Sequence, residues 1–474
     1  MLQNWFILLP EICMLGFFLT AWMVEIFRKE KTAKTFFTLA QFFLIAVIIC
    51  SIVFYNKSAF PELWQNTPFT TLFKSFVYLL AWAWFYLSCK WFLNKNRASF
   101  KFYSICFALL LGFSTLASAS SLLTLAVVVP FICFFYYQLI LRHWDIERVE
   151  KIAAIYACHA VLFCLLLWGG TAILYQQAGA FDYSAIKSFF AAQESYEVQT
   201  LAAVLMILAC FMFMMALVPF HSWFIAFVSA GVLPVCGFIT IIPPLIYICA
   251  LINLMHDCLF SFIGFVAPVI GLFAGVSLII GALSANRQGN IRRLFAYLSI
   301  YCLGFTLIGL VGFSNNAVIA SFAYTVIAVL SLAGVYTVFL GLKSRGEYLS
   351  DISSINGFYQ VRPYMSAALL VFMFSLIGLA PTLGFFGYLS IINNLVAAGD
   401  WGRVILLLGS LLFIASACLQ VIRTIYFEPL ADKYDRTDKA IYICLFINVG
   451  LILISLVNPT WLIHDALVIL GGIS

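Results

Sequence analysis

Charge is what this chain has least of. Asp, Glu, Lys and Arg together make up 9% of its 474 residues, against 65% hydrophobic, and mean hydropathy is +1.08. No ordinary soluble domain of that length has this balance, so the chain reads as an integral membrane protein. Ligand-type residues are also thin. The fourteen cysteines sit singly in apolar stretches (Cys13, Cys50, Cys158, Cys164 and Cys210 among them), with no CxxC pair and no His/Cys ligand spacing. They read as small buried hydrophobes, and neither a disulfide framework nor a metal site is implied. Gly-rich phosphate loops, nucleophile elbows and cofactor-ligand patterns are missing. The longest connections between apolar runs, 177–198 and 343–363, leave no room for a nucleotide-binding or redox domain. Energy must then come from a partner subunit or an ion gradient. The net charge of +6 is spread in short clusters between apolar runs, which is a topology signal and not a nucleic-acid surface.

What is present is a succession of apolar segments of spanning length. They fall near 3–27, 36–55, 71–93, 102–119, 121–141, 152–176, 199–221, 232–254, 261–285, 292–313, 315–342, 364–395, 403–427 and 440–462, which makes fourteen. The first reads as a retained span rather than a signal peptide. Glu11 interrupts it, it lacks a basic start, and Arg28, Lys29, Lys31 and Lys34 follow it. Alternate connections carry that cluster, then Lys95, Arg97 and Lys101, then Arg142, Arg148 and Lys151. Further on come Arg287, Arg292 and Arg293, then Lys343, Arg345 and Arg362, and last Lys433, Arg436 and Lys439. In all, 19 of the 25 basic residues lie on one face, leaving Lys57, Lys74, Lys90, Lys187, Arg403 and Arg423 elsewhere. The positive-inside rule makes that face cytoplasmic and puts both termini outside.

Two stretches interrupt the apolar runs. Leu217-Val218-Pro219-Phe220-His221-Ser222-Trp223 closes an uncharged run with a proline and a titratable ring. Such a feature either lines a protein-enclosed cavity or marks a helix that ends at Pro219 with His221 in the headgroup layer. Five spans later, Leu379-Ala380-Pro381-Thr382-Leu383-Gly384-Phe385-Phe386-Gly387 breaks another run. Interrupted helices at matching positions mark a repeat-built transporter, and an offset of five spans inverts the second unit. Against this stands the ordinary occurrence of proline and glycine in membrane helices.

Several stretches, in order, resemble subunit N of the proton-pumping NADH:quinone oxidoreductase, respiratory complex I. They are Leu8-Leu9-Pro10-Glu11-Ile12 at the start, Leu116 to Leu125 between spans four and five, and the Leu217 to Trp223 break. Gly289 to Ile300 at span ten, Ala380 to Gly387, and Tyr426-Phe427-Glu428-Pro429 complete the set. The resemblance implies an all-α polytopic membrane protein of antiporter-like fold, with two inverted five-helix repeats and helices seven and twelve broken. As one membrane domain, it divides into helices 1–3 over residues 1–100, repeat one (helices 4–8) over 101–255, repeat two (helices 9–13) over 256–430 and helix 14 over 431–474. It further implies a non-redox membrane-arm subunit in the bacterial plasma membrane, contributing to proton translocation coupled to quinone reduction. Its partners would be the other membrane-arm subunits and lipid. NADH, FMN, iron-sulfur clusters and quinone would be bound by partner subunits, and no cofactor by this chain.

The family's proton path uses a span-five glutamate paired with a span-seven lysine, a span-eight lysine and a span-twelve lysine. A desolvated lysine can gain or lose its proton as a neighbouring carboxylate moves, which is the physical sense of that set. Carried across, those positions fall at Pro130, Met214, Pro244 and Tyr388, and the span-ten histidine falls at Cys302. The path therefore reads as degenerate. The proton-path candidates that remain are His221, His159 in span six, Tyr388 and Glu150. A hydrogen-bonded structural histidine competes with a relay at both His positions, and a solvated interfacial charge competes at Glu150. Tyr388 can join a water chain but is a poor substitute for a switchable amine. Glu11 reads as interfacial. His143, His256 and His464 lie near span ends. Two alternatives to conduction stand: a structural or assembly subunit, and a cation/proton antiporter component. The antiporter is the weaker, because no intramembrane ion ligand stands out in the sequence.

Overall fold

The computed structural model describes residues 8–27, 33–53, 62–94, 100–142, 149–193, 196–430 and 434–454. His143, His464, Arg28, Lys29, Lys31, Lys57, Lys95, Arg97, Arg148, Lys433 and the end of the last apolar run lie outside these. Helix is the outcome the composition dictates, because in lipid a backbone must satisfy its own N–H and C=O groups. Eight described helices are long and apolar enough to cross a membrane, and six shorter apolar helices accompany them. One small departure is a two-stranded hairpin, Lys343–Ser344 with Glu347–Tyr348, inside the connection that follows the eleventh apolar run.

The chain forms two compact units. The first takes residues up to Met214 together with Leu245–Val266. It holds α1 (Leu9–Phe27), α2 (Ala33–Val53), α3 (Pro68–Asn94), α4 (Phe100–Ala117), α5 (Leu122–Arg142), α6 (Val149–Ala178), the short α7 (Tyr183–Ala191) and α8 (Val198–Met214). Pro10 falls in the first turn of α1, where its missing N–H costs nothing. Helix α1 packs along α4 and α2, α3 along α2 and α4, α5 between α4 and α6, and α6 along α8. At one end three extended pieces cross the helices. Trp64 pairs with Ala119, and Ser121 with Asp182. Backbone bonds from Gln65 N–H to the Ser118 carbonyl (2.9 Å) and from Tyr183 N–H to the Ser120 carbonyl (3.0 Å) lace them together. The serine-rich junction after α4 is thus the middle piece of a cap.

The second unit takes Met215–Pro244 and the chain from Ala267 on. Its helices are α9 (Ser222–Ala230), α10 (Leu233–Ile241), α13 (Ile291–Leu310), α14 (Asn315–Gly341), α15 (Pro363–Ile377), α16 (Leu383–Ala397), α17 (Trp401–Phe427) and α18 (Lys439–Leu453). Helices α11 (Pro243–Asp257) and α12 (Ile263–Ala285) begin in one unit and end in the other. Buried for most of its length, α14 touches α10, α13, α15, α16 and α18. Both interruptions expected from the sequence are present: α8 stops at Met214 and α9 starts at Ser222, while α15 stops at Ile377 and α16 starts at Leu383. The Val218–Pro219 and Ala380–Pro381 peptides at the two breaks are cis. Helix α15 ends on Gly378 at φ +79, a left-handed cap that lets Leu379 N–H reach the Phe374 carbonyl at 3.0 Å. Span eight runs as one spanning helix over Leu233–Asp257, with a local interruption between α10 and α11 just before Pro243 and Pro244.

Candidate functional site

At the positions where the resemblance puts charges, the structure holds uncharged groups, all buried except the half-buried Pro130. Pro130 lies inside α5, where its missing N–H leaves the Ala126 carbonyl without its helical donor. The indole N–H of Trp168 on α6 fills that place at 2.8 Å. Beside it, Pro130, Cys133, Tyr156, Cys164 and Trp168 line a nearly wholly apolar groove of about 300 Å³. Met214 is buried at the last turn of α8. In the second unit, Pro244 and Cys302 line one cavity with Ser299, Thr306 and Thr325, and its volume of about 10 Å³ is the space of a single water. The Thr306 and Thr325 hydroxyls lie 3.2 Å apart, each also within reach of a carbonyl of its own helix. Two positions that the resemblance assigns a lysine and a histidine thus share a water-sized, mostly apolar space.

Tyr388 on α16 is fixed by the break in the helix before it. Its hydroxyl donates to the Leu376 carbonyl at 2.8 Å, an acceptor left free as α15 ends. A phenol has one proton to give, so Tyr301 (3.3 Å) and Tyr324 (3.4 Å) can only donate to Tyr388. The three hydroxyls form a cluster walled by Phe305, and it continues through side-chain hydrogen bonds between Tyr301 and Ser410 and between Tyr324 and Cys302. At the first break, Val218 N–H donates to Ser277 Oγ on α12 at 2.9 Å. His221 immediately precedes α9, and its buried Nδ1 has no hydrogen-bond partner among the described residues. His159 Nδ1 meets the Ile155 carbonyl of its own helix at 2.7 Å, and its ring stacks on Phe213. That is a locally satisfied histidine. Glu150 is exposed in the first turn of α6, and His256 bonds its neighbour Asp257 at 2.8 Å.

The charged site lies elsewhere. Glu11, expected at the interface, is 6% exposed, and Lys74 on α3 is 2% exposed. Lys74 Nζ and Glu11 Oε1 are 2.8 Å apart. They form a buried ionisable pair that the sequence reading did not single out. Burying two charges costs several kcal/mol each unless geometry and further hydrogen bonds compensate, and here both are present. Lys74 also donates to Asn66 Oδ1 at 3.1 Å and lies 4.5 Å from the centre of the Trp64 ring. Ser114 near the end of α4 donates to Glu11 Oε1 at 2.6 Å, and Tyr78 donates to Ser114 at 2.7 Å. Ser118 completes the shell by donating to Asn66 at 3.0 Å. Glu11 sits in the first turn of α1, where the helix dipole favours a carboxylate. Its second oxygen, Oε2, is buried and has no hydrogen-bond partner among the described residues.

Sequence reasoning passed over this pair although a signal was there. Lys74 and Glu11 are opposite charges, each within an apolar run of spanning length, in a chain with few charges to spare. A recess of about 740 Å³ is lined by Glu62, Gln65, Ser120, Asp182, Lys187 and Asp257, of which Gln65 and Ser120 are near chain neighbours of Asn66 and Ser118. Lys187 is anchored there by donating to the His256 carbonyl near the end of α11, at 2.8 Å.

Comparison with known proteins agrees with this architecture. The chain is 26% identical over 431 residues to NADH-quinone oxidoreductase subunit N of Rhodospirillum rubrum, covering 90% of this chain and 88% of the relative. It superposes on a chain of respiratory complex I from Thermus thermophilus with a TM-score of 0.79 at 20% identity, covering 96% of this chain and 98% of the other. A chain of the membrane-bound sulfane sulfur reductase, an archaeal respiratory membrane complex, superposes with a TM-score of 0.82 at 16% identity and 99% coverage of both. Residues 119–414, well over half of the chain and including both helix breaks, match the pattern of one family, so the chain belongs to the NADH:quinone oxidoreductase/Mrp antiporter transmembrane family.

Proposed function

We propose that the chain is the N subunit of a proton-translocating NADH:quinone oxidoreductase, held in the membrane arm of the complex by neighbouring membrane subunits. The observation that carries this reading is co-linearity: relatives named subunit N align over about nine-tenths of both sequences. The absence of cofactor motifs fits a subunit that leaves NADH, FMN, iron-sulfur clusters and quinone to its partners. Fourteen spans follow if the eight long helices are joined by Leu9–Val24, Phe37–Val53, Phe102–Ala117, Val198–Met214 with α9, α15 with α16, and Lys439–Leu453. Paired breaks five spans apart support two inverted five-helix repeats. The basic loops support a cytoplasmic face in a bacterial plasma membrane with both termini outside.

At the family's charge positions the path is degenerate. Trp168 and Tyr388 close backbone gaps that a proton wire would leave open. This favours, as the second reading, a subunit that completes and seals the arm without conducting along that route. An affinity tag on this chain tests the parent proposal. Solubilised membranes are expected to yield the chain together with NADH:quinone oxidoreductase activity and the other membrane-arm subunits. A chain that purifies alone while the enzyme remains whole in another fraction overturns it.

A further inference from the structure

Proton chemistry in a membrane needs three things in one place: a group that can hold a proton away from solvent, a free position to receive it, and an aqueous approach. The first unit supplies all three outside the route that has lost its charges. Glu11 and Lys74 form the holding pair, buried from water. Oε2 of Glu11 is the free position, an anionic oxygen with no donor among the described residues while Oε1 already serves Lys74 and Ser114. The approach is the recess. Asn66 and Ser118, which bond Lys74 and each other, stand within two residues of Gln65 and Ser120 in its wall. Glu62, Asp182 and Asp257 make that wall acidic, with Lys187 tied back to a helix carbonyl. Such a vestibule concentrates cations. The distribution of basic loops puts it on the outer face. Lys74 is six residues into α3, so the pair lies about 9 Å along the helix from that end.

We propose that Glu11 and Lys74 are a proton-holding site on the export route that releases its proton to the outer aqueous phase through this vestibule, an inference that rests on the chain being a membrane-arm subunit. In the loading step a hydronium ion reaching the pair gives up a proton. Its O–H bond breaks, an O–H bond forms on Glu11 Oε2, and water is left. The loaded state keeps the Lys74 ammonium beside a neutral carboxylic acid, so the buried site gains one positive charge, which low polarity opposes. Release reverses the same bonds and restores the ion pair. The remaining titratable groups facing the pair are Tyr78 on α3, Cys249 on α11 and Cys13 on Glu11's own helix. Tyr78 donates its proton to Ser114. Neither thiol is hydrogen-bonded to the pair, so the exchangeable proton belongs to Glu11.

The test uses the assembled enzyme in membrane vesicles, with protons exported per electron pair measured alongside NADH oxidation. Glu11→Gln keeps the shape and an acceptor for Lys74 and Ser114 but cannot take a proton. Glu11→Leu with Lys74→Met removes both charges at once, the exchange that buried pairs tolerate best. Both variants are expected to assemble with the complex and to lose part of the export ratio. An unchanged ratio in either assembled variant overturns the inference while leaving the subunit assignment intact; a wild-type chain that does not copurify with the enzyme overturns the assignment instead. Independently of the pair, Gln65→Cys treated from the outer side with a membrane-impermeant thiol reagent is expected to lower the ratio. No effect of a completed modification there removes the vestibule as the route.

Discussion

Replacing Lys74 by Met takes the ammonium away from Glu11 and leaves a carboxylate 6% exposed, with Ser114 as its donor. At a separation of 2.8 Å and an effective dielectric of about 20, the attraction lost is about 6 kcal/mol. Part of that is recovered when the orphaned carboxylate takes up a proton, and one-sided removal of buried pairs costs about 3–5 kcal/mol in practice. Glu11→Leu alone is expected to cost a similar amount, because it leaves an unpaired ammonium held by Asn66 and the Trp64 ring. The double substitution discards the desolvation cost of both ions together with their attraction, so it should fall within about 1–2 kcal/mol of the wild type. The four proteins form a double-mutant cycle with a coupling of about 3 kcal/mol or more. Denaturant titration of the purified complex, followed by release of this subunit on native gels, measures it. Additive losses, or a Lys74→Met enzyme that dissociates at the wild-type midpoint, would refute the buried pair as described.

Two further outcomes follow from uncharged parts of the site. Trp168→Phe keeps the ring but removes the donor to the carbonyl freed by Pro130; the loss should be about 1 kcal/mol, at the low end for an unmet carbonyl because Trp168 is itself half exposed, and an unchanged melting profile would show that the cap contributes nothing. Gly384→Ala places a methyl group against the Ser375 carbonyl where α16 starts beside α15. The break must open to admit it, so the variant should assemble poorly and lose more than about 3 kcal/mol, whereas full assembly at wild-type stability would contradict the close approach.

Glu11 and Lys74 show where sequence reading stops. Each residue sits in an apolar run and each was visible. Their partnership was not, because they are 63 residues apart and meet only when α4 packs against both α1 and α3. Tyr388 is the converse. Its place in the broken segment was plain, yet only the left-handed turn at Gly378 exposes the Leu376 carbonyl that claims its hydroxyl. Likewise the partner of His159 Nδ1, the Ile155 carbonyl of its own helix, shows only in the structure.

By itself the sequence determined the membrane class, the helical content and the two interruptions. Apolar runs of spanning length have one way to satisfy their backbone in lipid, and proline withdraws a donor wherever it falls. Which polar groups would meet was decided by tertiary structure alone. Ion pairing, capping and cavity lining depend on distances of a few ångströms between helices far apart in the chain, and no local pattern encodes those distances. The charges that the helix breaks lack are found instead at the start of α1 and the second turn of α3, brought together beneath a cap of extended chain.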